Sequence, residues 1–474
     1  MINSRSFHLQ FLRSALRLEN PYVRTEEVLD WLRRRNDEVD VDIRLVPFGS
    51  LQDWHMDEGG SIRHKSGRFF SIDGIRVETT WGPLGVWEQP IINQPEIGFL
   101  GLIAKEFDGL LYFLVQAKIE PGNINCVQLS PTLQATKSNY TRVHGGKTPA
   151  YLEYFRQAGT RYPVLLDQLQ SEQGARFLHK RNRNIIILVD EELPVYEDFC
   201  WLTLGQIKRL MSYPNVVNMD LRTVVSGIPY GEYDQDALTV FRTLHSASSS
   251  FYTDLLESSL DDSRWHLSLD DVITWFTGLK MQSELKVTQI PLPSIEEWEI
   301  VDDRIRHRDG RFFEVVFADV TIGNREVRRW RQPLIAPLQE GISAFVVKRI
   351  NGILHFLVQA KLECGNLDVL EFAPTVQCIT GSYKNSPPGS VPYLDYVLDP
   401  RNGQVKMDVM QSEEGGRFYR EQNRNMLIEA DESFPTDVSD RYTWMTLNQL
   451  QYFVKFNNYL NIQARSLIAS VQFV

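Results

Sequence analysis

The stretch Phe113-Leu-Val-Gln-Ala-Lys118-Ile-Glu120-Pro-Gly122-Asn123 decides the fold, because it returns as Phe356-Leu-Val-Gln-Ala-Lys361-Leu-Glu363-Cys-Gly365-Asn366. Nine of the eleven positions are identical, and the copies lie 243 residues apart. Each opens as an apolar run, Leu110 to Val115 and Ile353 to Val358, dense enough for a buried strand. It then turns polar through Gln, Lys and Glu before a Gly-Asn turn. The pattern predicts a strand that carries charged groups to its own end.

Further pairs keep the same offset. Ile62-Arg63-His64-Lys-Ser-Gly67-Arg68-Phe69-Phe70 is answered by Ile305-Arg306-His307-Arg-Asp-Gly310-Arg311-Phe312-Phe313, and Trp87-Glu-Gln89-Pro90 by Trp330-Arg-Gln332-Pro333. Leu129-Ser-Pro131-Thr132-Leu-Gln134 pairs with Phe372-Ala-Pro374-Thr375-Val-Gln377. After divergent segments at 141–150 and 384–392, the copies meet again at Gln170-Ser171-Glu172-Gln-Gly174-Ala-Arg176-Phe177 and Gln411-Ser412-Glu413-Glu-Gly415-Gly-Arg417-Phe418. Asn182-Arg183-Asn184 and Asn423-Arg424-Asn425 follow. This is a tandem duplication of two α/β (α+β) modules, 1–230 and 264–474, joined by a linker at 231–263 that is rich in Ser, Asp and Glu. Leu238 to Leu244 and Phe251 to Leu256 are apolar enough for short linker helices.

Local signals fill in the modules. Thr25 and Ser268 read as N-caps of matching helices, and Thr203 with Gln206 and Thr446 with Gln449 read as capping boxes. If the segment after Gln170 is helical, Glu172, Arg176 and Arg183 share one face, as do their counterparts. Trp31, Trp275, Phe69, Phe70, Phe312 and Phe313 read as cap and core residues.

Composition excludes several classes. A net charge of −11 argues against a nucleic-acid-binding surface, and no apolar run approaches the ~18 residues of a membrane-crossing helix. Cys126, Cys200, Cys364 and Cys378 are isolated, which points to reduced cytoplasmic thiols, and Met1 to Asn20 reads as no secretory signal. His64, His307 and His144 are scattered without a metal-binding spacing, so no metal site is expected. The Gly-rich fingerprints for dinucleotides and nucleoside triphosphates are missing, as is G-x-S-x-G.

Lys118 and Lys361 stand at the ends of buried strands, where a lysine needs a partner or a ligand. Glu120 and Glu363 are the internal partners, as Glu172 and Glu413 are for Arg176 and Arg417. Taken together, each repeat offers Lys, Arg, Gln, Asn, Tyr and Trp in comparable places, a set suited to a diphosphate flanked by a stacked base and a polyhydroxylated ring.

Leu129-Ser-Pro-Thr-Leu-Gln-Ala, Ser138-Asn-Tyr140-Thr-Arg-Val-His144-Gly-Gly, Tyr151-Leu-Glu-Tyr154, Gln411-Ser-Glu-Glu-Gly-Gly-Arg-Phe-Tyr419 and the doubled Phe-Leu-Val-Gln-Ala-Lys resemble the nucleotide-diphosphate-hexose 2,3-dehydratases of deoxysugar biosynthesis, nearly end to end. The resemblance implies two Nudix-like modules with mixed sheets flanked by helices, each with a nucleotide-sugar pocket, in a homodimer. The acidic metal box of Nudix hydrolases is absent from both copies, which makes pyrophosphate hydrolysis an unfavoured alternative, beside a non-catalytic nucleotide-sugar-binding protein. The implied substrate is dTDP-4-keto-6-deoxyglucose, which would lose its C2 hydroxyl through a C3/C4 enolate without metal or redox cofactor, with a 3-ketoreductase acting next.

For that chemistry the candidate proton-transfer residues are Glu172 and Glu413, with Glu120 and Glu363, while Lys118, Lys361, Tyr140 and Tyr383 are candidates to stabilise the oxyanion or protonate the leaving group. Candidate substrate contacts in the first copy are Trp87, Lys118, Glu120, Asn123, Thr132, Gln134, Tyr140, Tyr151, Arg176 and Asn182. In the second they are Trp330, Gln359, Glu363, Asn366, Thr375, Gln377, Tyr393, Ser412, Arg417 and Asn423. The extra carboxylate Glu414 tilts the expectation of a reactive pocket toward the second module.

Overall fold

The computed structural model describes residues 5–136, 148–231, 239, 250–379, 389–399 and 401–474. The doubled motif forms strands Leu110–Ile119 and Ile353–Lys361. In the first strand Leu111, Phe113, Val115, Ala117 and Ile119 face one apolar layer and Leu114 faces another. The two-residue period therefore sends Lys118 to the face of Leu114, at the strand's end.

Around this strand lies a seven-stranded mixed sheet, in the order Val164–Ser171, Arg181–Leu188, Gly98–Phe107, Leu110–Ile119 and Phe199–Leu202, with short strands Val127–Ser130 and Leu133–Ala135 added. Arg181–Leu188 runs parallel to Gly98–Phe107, and the other pairings are antiparallel. The second half repeats the arrangement with Gln404–Ser412, Gln422–Glu429, Gly341–Ile350, Ile353–Lys361 and Tyr442–Thr446. The chain is thus a duplicated α+β fold.

Helices cover the sheets in matching ways. Ser14 Oγ donates to the Leu111 carbonyl and Ser258 Oγ to that of Leu354, both at 2.7 Å, and each hydroxyl then accepts from the N–H of Leu204 or Leu447. Helix Phe251–Leu260, expected as part of the connection, thereby packs on the second sheet as helix Arg5–Ala15 packs on the first. Ser268 and the Thr203–Gln206 and Thr446–Gln449 boxes cap as expected. Thr25 does not cap: Arg24 holds that position, and its N–H is bound by the Glu27 carboxylate at 2.7 Å.

Two smaller five-stranded antiparallel sheets tie the halves together by exchange. Strand Val41–Leu45 of the first half pairs with Phe313–Ile322 of the second, and Leu285–Ile290 of the second pairs with Ser71–Thr79 of the first. The Gly-Asn turns are exchanged too. Gly122 N donates to the Gly415 carbonyl and Arg420 N to that of Gly122, and Gly365 with Gly174 and His179 repeats the pair, all at 2.7 Å. A Cβ on Gly122 would lie 1.5 Å from the Phe418 carbonyl oxygen, so the close backbone approach explains the glycine.

The segment after Gln170 is not helical. Val164–Ser171 and Arg181–Leu188 are antiparallel strands, joined by a tight turn in which Phe177 N donates to the Gln173 carbonyl. Arg183 consequently points away from Glu172 and pairs with Asp167 at 2.6 Å. Among the described residues no helix is long and apolar enough to cross a membrane, and all four cysteines are unpaired.

Candidate active site

Where the first large sheet meets the exchanged small sheets there is a cavity of about 430 Å³. The sheet's end supplies Lys118, Glu120, Gln134, Glu172, Lys180 and Asn182. Asp220 enters from the first turn of helix Met219–Ser226, and Trp54, His64, Phe70 and Gln94 come from the small sheet. The second half supplies Trp330 with the arginines 325, 329 and 331, and, through its exchanged turn, Glu414 and Arg417.

Lys118 and Glu120 do not pair with each other, contrary to the simplest reading of their spacing. Both are held by Gln134: Lys118 Nζ donates to its carbonyl at 3.1 Å, and its Nε2 donates to Glu120 Oε1 at 2.8 Å. Gln134 Oε1 in turn accepts from Asn218 at 3.1 Å. Glu120 Oε2 and Asp220 Oδ1 are buried without a hydrogen-bond partner among the described residues, and both oxygens belong to cavity-lining side chains. Glu172 accepts from Asn182 Nδ2 at 2.5 Å, and Asn182 Oδ1 accepts from Gly98 N. Arg417 is not bound to a glutamate either. Its guanidinium stacks 4.3 Å from the Phe70 ring, and its Nε has no hydrogen-bond partner among the described residues.

Burial dominates the electrostatics. It raises the Glu172 carboxyl above its ordinary value, and burial followed by the like charge of Glu120 raises Glu414 to about 8. Asp220, buried and then repelled by Glu414, Glu172 and Glu120, is raised well above its ordinary value. Burial pushes Lys180 down to about 8, and burial followed by the neighbouring Arg325 lowers Lys118. Buried carboxyl groups shifted toward the protonated form beside buried amines shifted toward the neutral form make a set able to exchange protons with a ligand.

The second half builds a related but unequal cluster. Lys361 donates to the Gln377 carbonyl, Gln377 to Glu363, and Asn423 to Glu413. Arg176 stacks on Phe313 at 4.1 Å, and Trp87 is anchored through Gln89 to Ala175. Where the first site has Asp220, Lys180 and Glu414, the second has Gln463, Glu421 and Gln173 at the matching positions. The arginine-bearing 325–331 turn corresponds to Gly82-Pro-Leu-Gly-Val-Trp-Glu88, which holds no cation. Glu414 therefore lies in the first-half cavity and not in the second module that carries it in sequence.

Of the other candidates, Thr132 and Thr375 are framework residues, donating to the carbonyls of Leu114 and Leu357. Asn123 closes its own turn onto Cys126, and Asn366 occupies the equivalent turn. Tyr151 donates to the Pro194 carbonyl at 2.7 Å, Tyr393 packs edge-on to Tyr442, Gln359 donates to the Pro374 carbonyl, and Ser412 to Gln128. Tyr140, Tyr383 and His144 lie outside the described residues. Asp220 and Lys180 escape any search for identical positions, because they are places where the copies differ.

Fold and site together define a duplicated α+β protein with a metal-style cluster in neither half among the described residues, and with one acid–base cavity assembled from both. The chain belongs to the NDP-hexose 2,3-dehydratase family, whose profile matches it twice, over residues 25–228 and 269–471. It is 44% identical over 464 residues to a dTDP-4-dehydro-6-deoxy-alpha-D-glucopyranose 2,3-dehydratase of Saccharopolyspora spinosa, covering 98% of this chain and 94% of that one. Proteins of the same name from Streptomyces violaceoruber and Amycolatopsis orientalis are 42% and 40% identical, covering 93% and 97% of this chain and 96% and 92% of theirs.

Proposed function

We propose that this chain is a hydro-lyase that removes water across C2 and C3 of dTDP-4-dehydro-6-deoxyglucose, and that the reaction takes place in the first-half cavity. The observation that carries this reading is the convergence of Glu120, Glu172, Asp220 and Glu414 with Lys118 and Lys180 in one cavity, where the other half has Gln463 and Gln173 in place of Asp220 and Glu414 and a carboxylate, Glu421, in place of Lys180.

The C4 ketone acidifies the C3 hydrogen. The Glu172 carboxylate takes that proton, and the electron pair moves onto the C4 oxygen as an enolate, which the Lys118 ammonium stabilises. The enolate then returns its pair toward C2, restoring the C4 ketone and forming the C2–C3 double bond as the C2 hydroxyl departs. Glu414 supplies the proton that lets it leave as water. The resulting enol at C3 tautomerises, gaining a proton at C2, to a 3,4-diketone, with no net oxidation. Arg325 suits the diphosphate, Arg329 and Arg331 being ion-paired with Asp319 beside it, and Trp330 offers an apolar face.

The same reading, resting on family alone, includes Nudix-like halves near 1–230 and 264–474, a nucleotide-sugar pocket in each, a homodimer, a cytoplasmic location and a role in 2,6-dideoxysugars of secondary metabolites such as antibiotics. Incubation with the 4-keto sugar, a 3-ketoreductase and NADPH tests the activity. NADPH oxidation that requires this protein is expected. An unchanged sugar overturns the reading, and release of thymidine monophosphate that stops with EDTA replaces it by pyrophosphate hydrolysis.

A further inference from the structure

Helices Met219–Ser226 and Ile462–Ala469 pack against each other where the halves meet, and each carries a fully buried arginine. Arg465, from the second half, donates through Nη2 to the carbonyl of Ser171 in the first, and its Nη1 lies 3.4 Å from Ser171 Oγ. Its remaining bonds, to the Leu460 carbonyl at 2.5 Å and Thr223 Oγ1 at 3.0 Å, fix the plane of the guanidinium. Ser171 Oγ itself donates to Glu371 at 3.0 Å. Arg222 reverses the relation. It donates to the Ser412 carbonyl at 2.6 Å and to Gln411 Oε1 at 3.1 Å, and is fixed by the Val217 carbonyl and Ser466 Oγ. Ser171 immediately precedes Glu172, and Ser412 precedes Glu413 and Glu414.

Cohesion alone does not call for this arrangement, since well-packed apolar side chains stabilise a buried contact at least as well as buried charges do. A rigid fork of five donors does something apolar groups cannot: it fixes the direction of a backbone carbonyl, and with it the residue that follows. We infer that Arg465 is a positioning residue for Glu172, so that the second half orients a reacting carboxylate of the first-half cavity, while Arg222 orients the segment that brings Glu414 across. Among the described residues the charged groups facing Glu172 are Arg465, Lys180, Asp220, Glu413 and Glu414, and of these Arg465 and Lys180 favour its ionised form. Loss of Arg465 therefore shifts Glu172 ionisation to higher pH.

The inference rests on the reading of Glu172 as a reacting group, so the test includes a measurement that needs no turnover. Difference infrared spectroscopy of the full chain against its E172Q variant gives the ionisation midpoint of the Glu172 carboxyl. In R465Q that midpoint is expected to rise, kcat to fall about tenfold to a hundredfold with KM nearly constant, and the acid limb of the pH–rate profile to move up. R465K, which keeps the charge but not the fork, is expected to leave the midpoint near its original place while kcat stays low. Full kcat in a folded R465Q overturns the positioning role, and an unmoved midpoint in R465Q overturns the electrostatic effect of Arg465 on Glu172. Should R465Q not fold, R465K decides: full kcat in R465K overturns the inference, and a low kcat with a preserved melting temperature upholds it.

Discussion

The E414Q variant is expected to lose turnover by ~10² to 10⁴, the usual contribution of a positioned acid or base, while keeping its fold and its affinity for the nucleotide sugar. Glu414 is contributed by the second half, yet it lines the first-half cavity, where burial and then Glu120 push its carboxyl up to about 8. Because the value is raised, the proton is present at neutral pH and is lost as pH rises through about 8, so the parent's rate should fall along a basic limb there. Lys180, lowered to about 8, titrates in the same range. The variant separates the two: if E414Q retains nearly full turnover with the basic limb intact, the departing hydroxyl takes its proton from elsewhere, Lys180 being the next donor.

The second large effect is on folding. In G122A the new Cβ would meet the Phe418 carbonyl oxygen at 1.5 Å, its carbon at 2.6 Å and the Gly415 oxygen at 2.7 Å, and these are backbone atoms that no rotamer change removes. The turn must lift away, giving up the bonds from Gly122 N to Gly415 and from Arg420 N to Gly122. Two lost backbone bonds and an overpacked contact together cost about 3–5 kcal/mol, a large share of what holds a domain folded. Glu120 stands two residues ahead, so turnover should fall with the melting temperature. Calorimetry and an activity assay read both, and a G122A protein that melts and turns over like the parent would show that the exchanged turn is not a fixed contact.

The doubled strand and its polar end were legible because a dense apolar run that turns polar before a Gly-Asn stop is a local signal, and so were the capping boxes at Thr203 and Thr446. The segment from Gln170 to Arg183 misled because Glu172 and Arg176 fall at helical spacing. Gly174 in one copy and Gly415-Gly416 in the other, each costing about 1 kcal/mol in a helix, were the contrary signal. The partners of Lys118 and Glu120 were hidden because Gln134 reaches them only once three strands are side by side. Above all, the linear order assigns Glu414 and Arg417 to the second module, whereas the exchanged turns deliver them to the first. Identity between copies revealed the scaffold. The charge differences, Asp220 against Gln463, Lys180 against Glu421 and Glu414 against Gln173, mark where the copies part in chemistry.

That division is tested most directly by turnover of dTDP-4-dehydro-6-deoxyglucose in E172Q beside E413Q, the same substitution at equivalent positions of the two halves. With a single reactive cavity in the first half, E172Q should lose most of its activity and E413Q should keep most of it. An active E172Q beside an inactive E413Q would place the reaction in the second half and contradict the account.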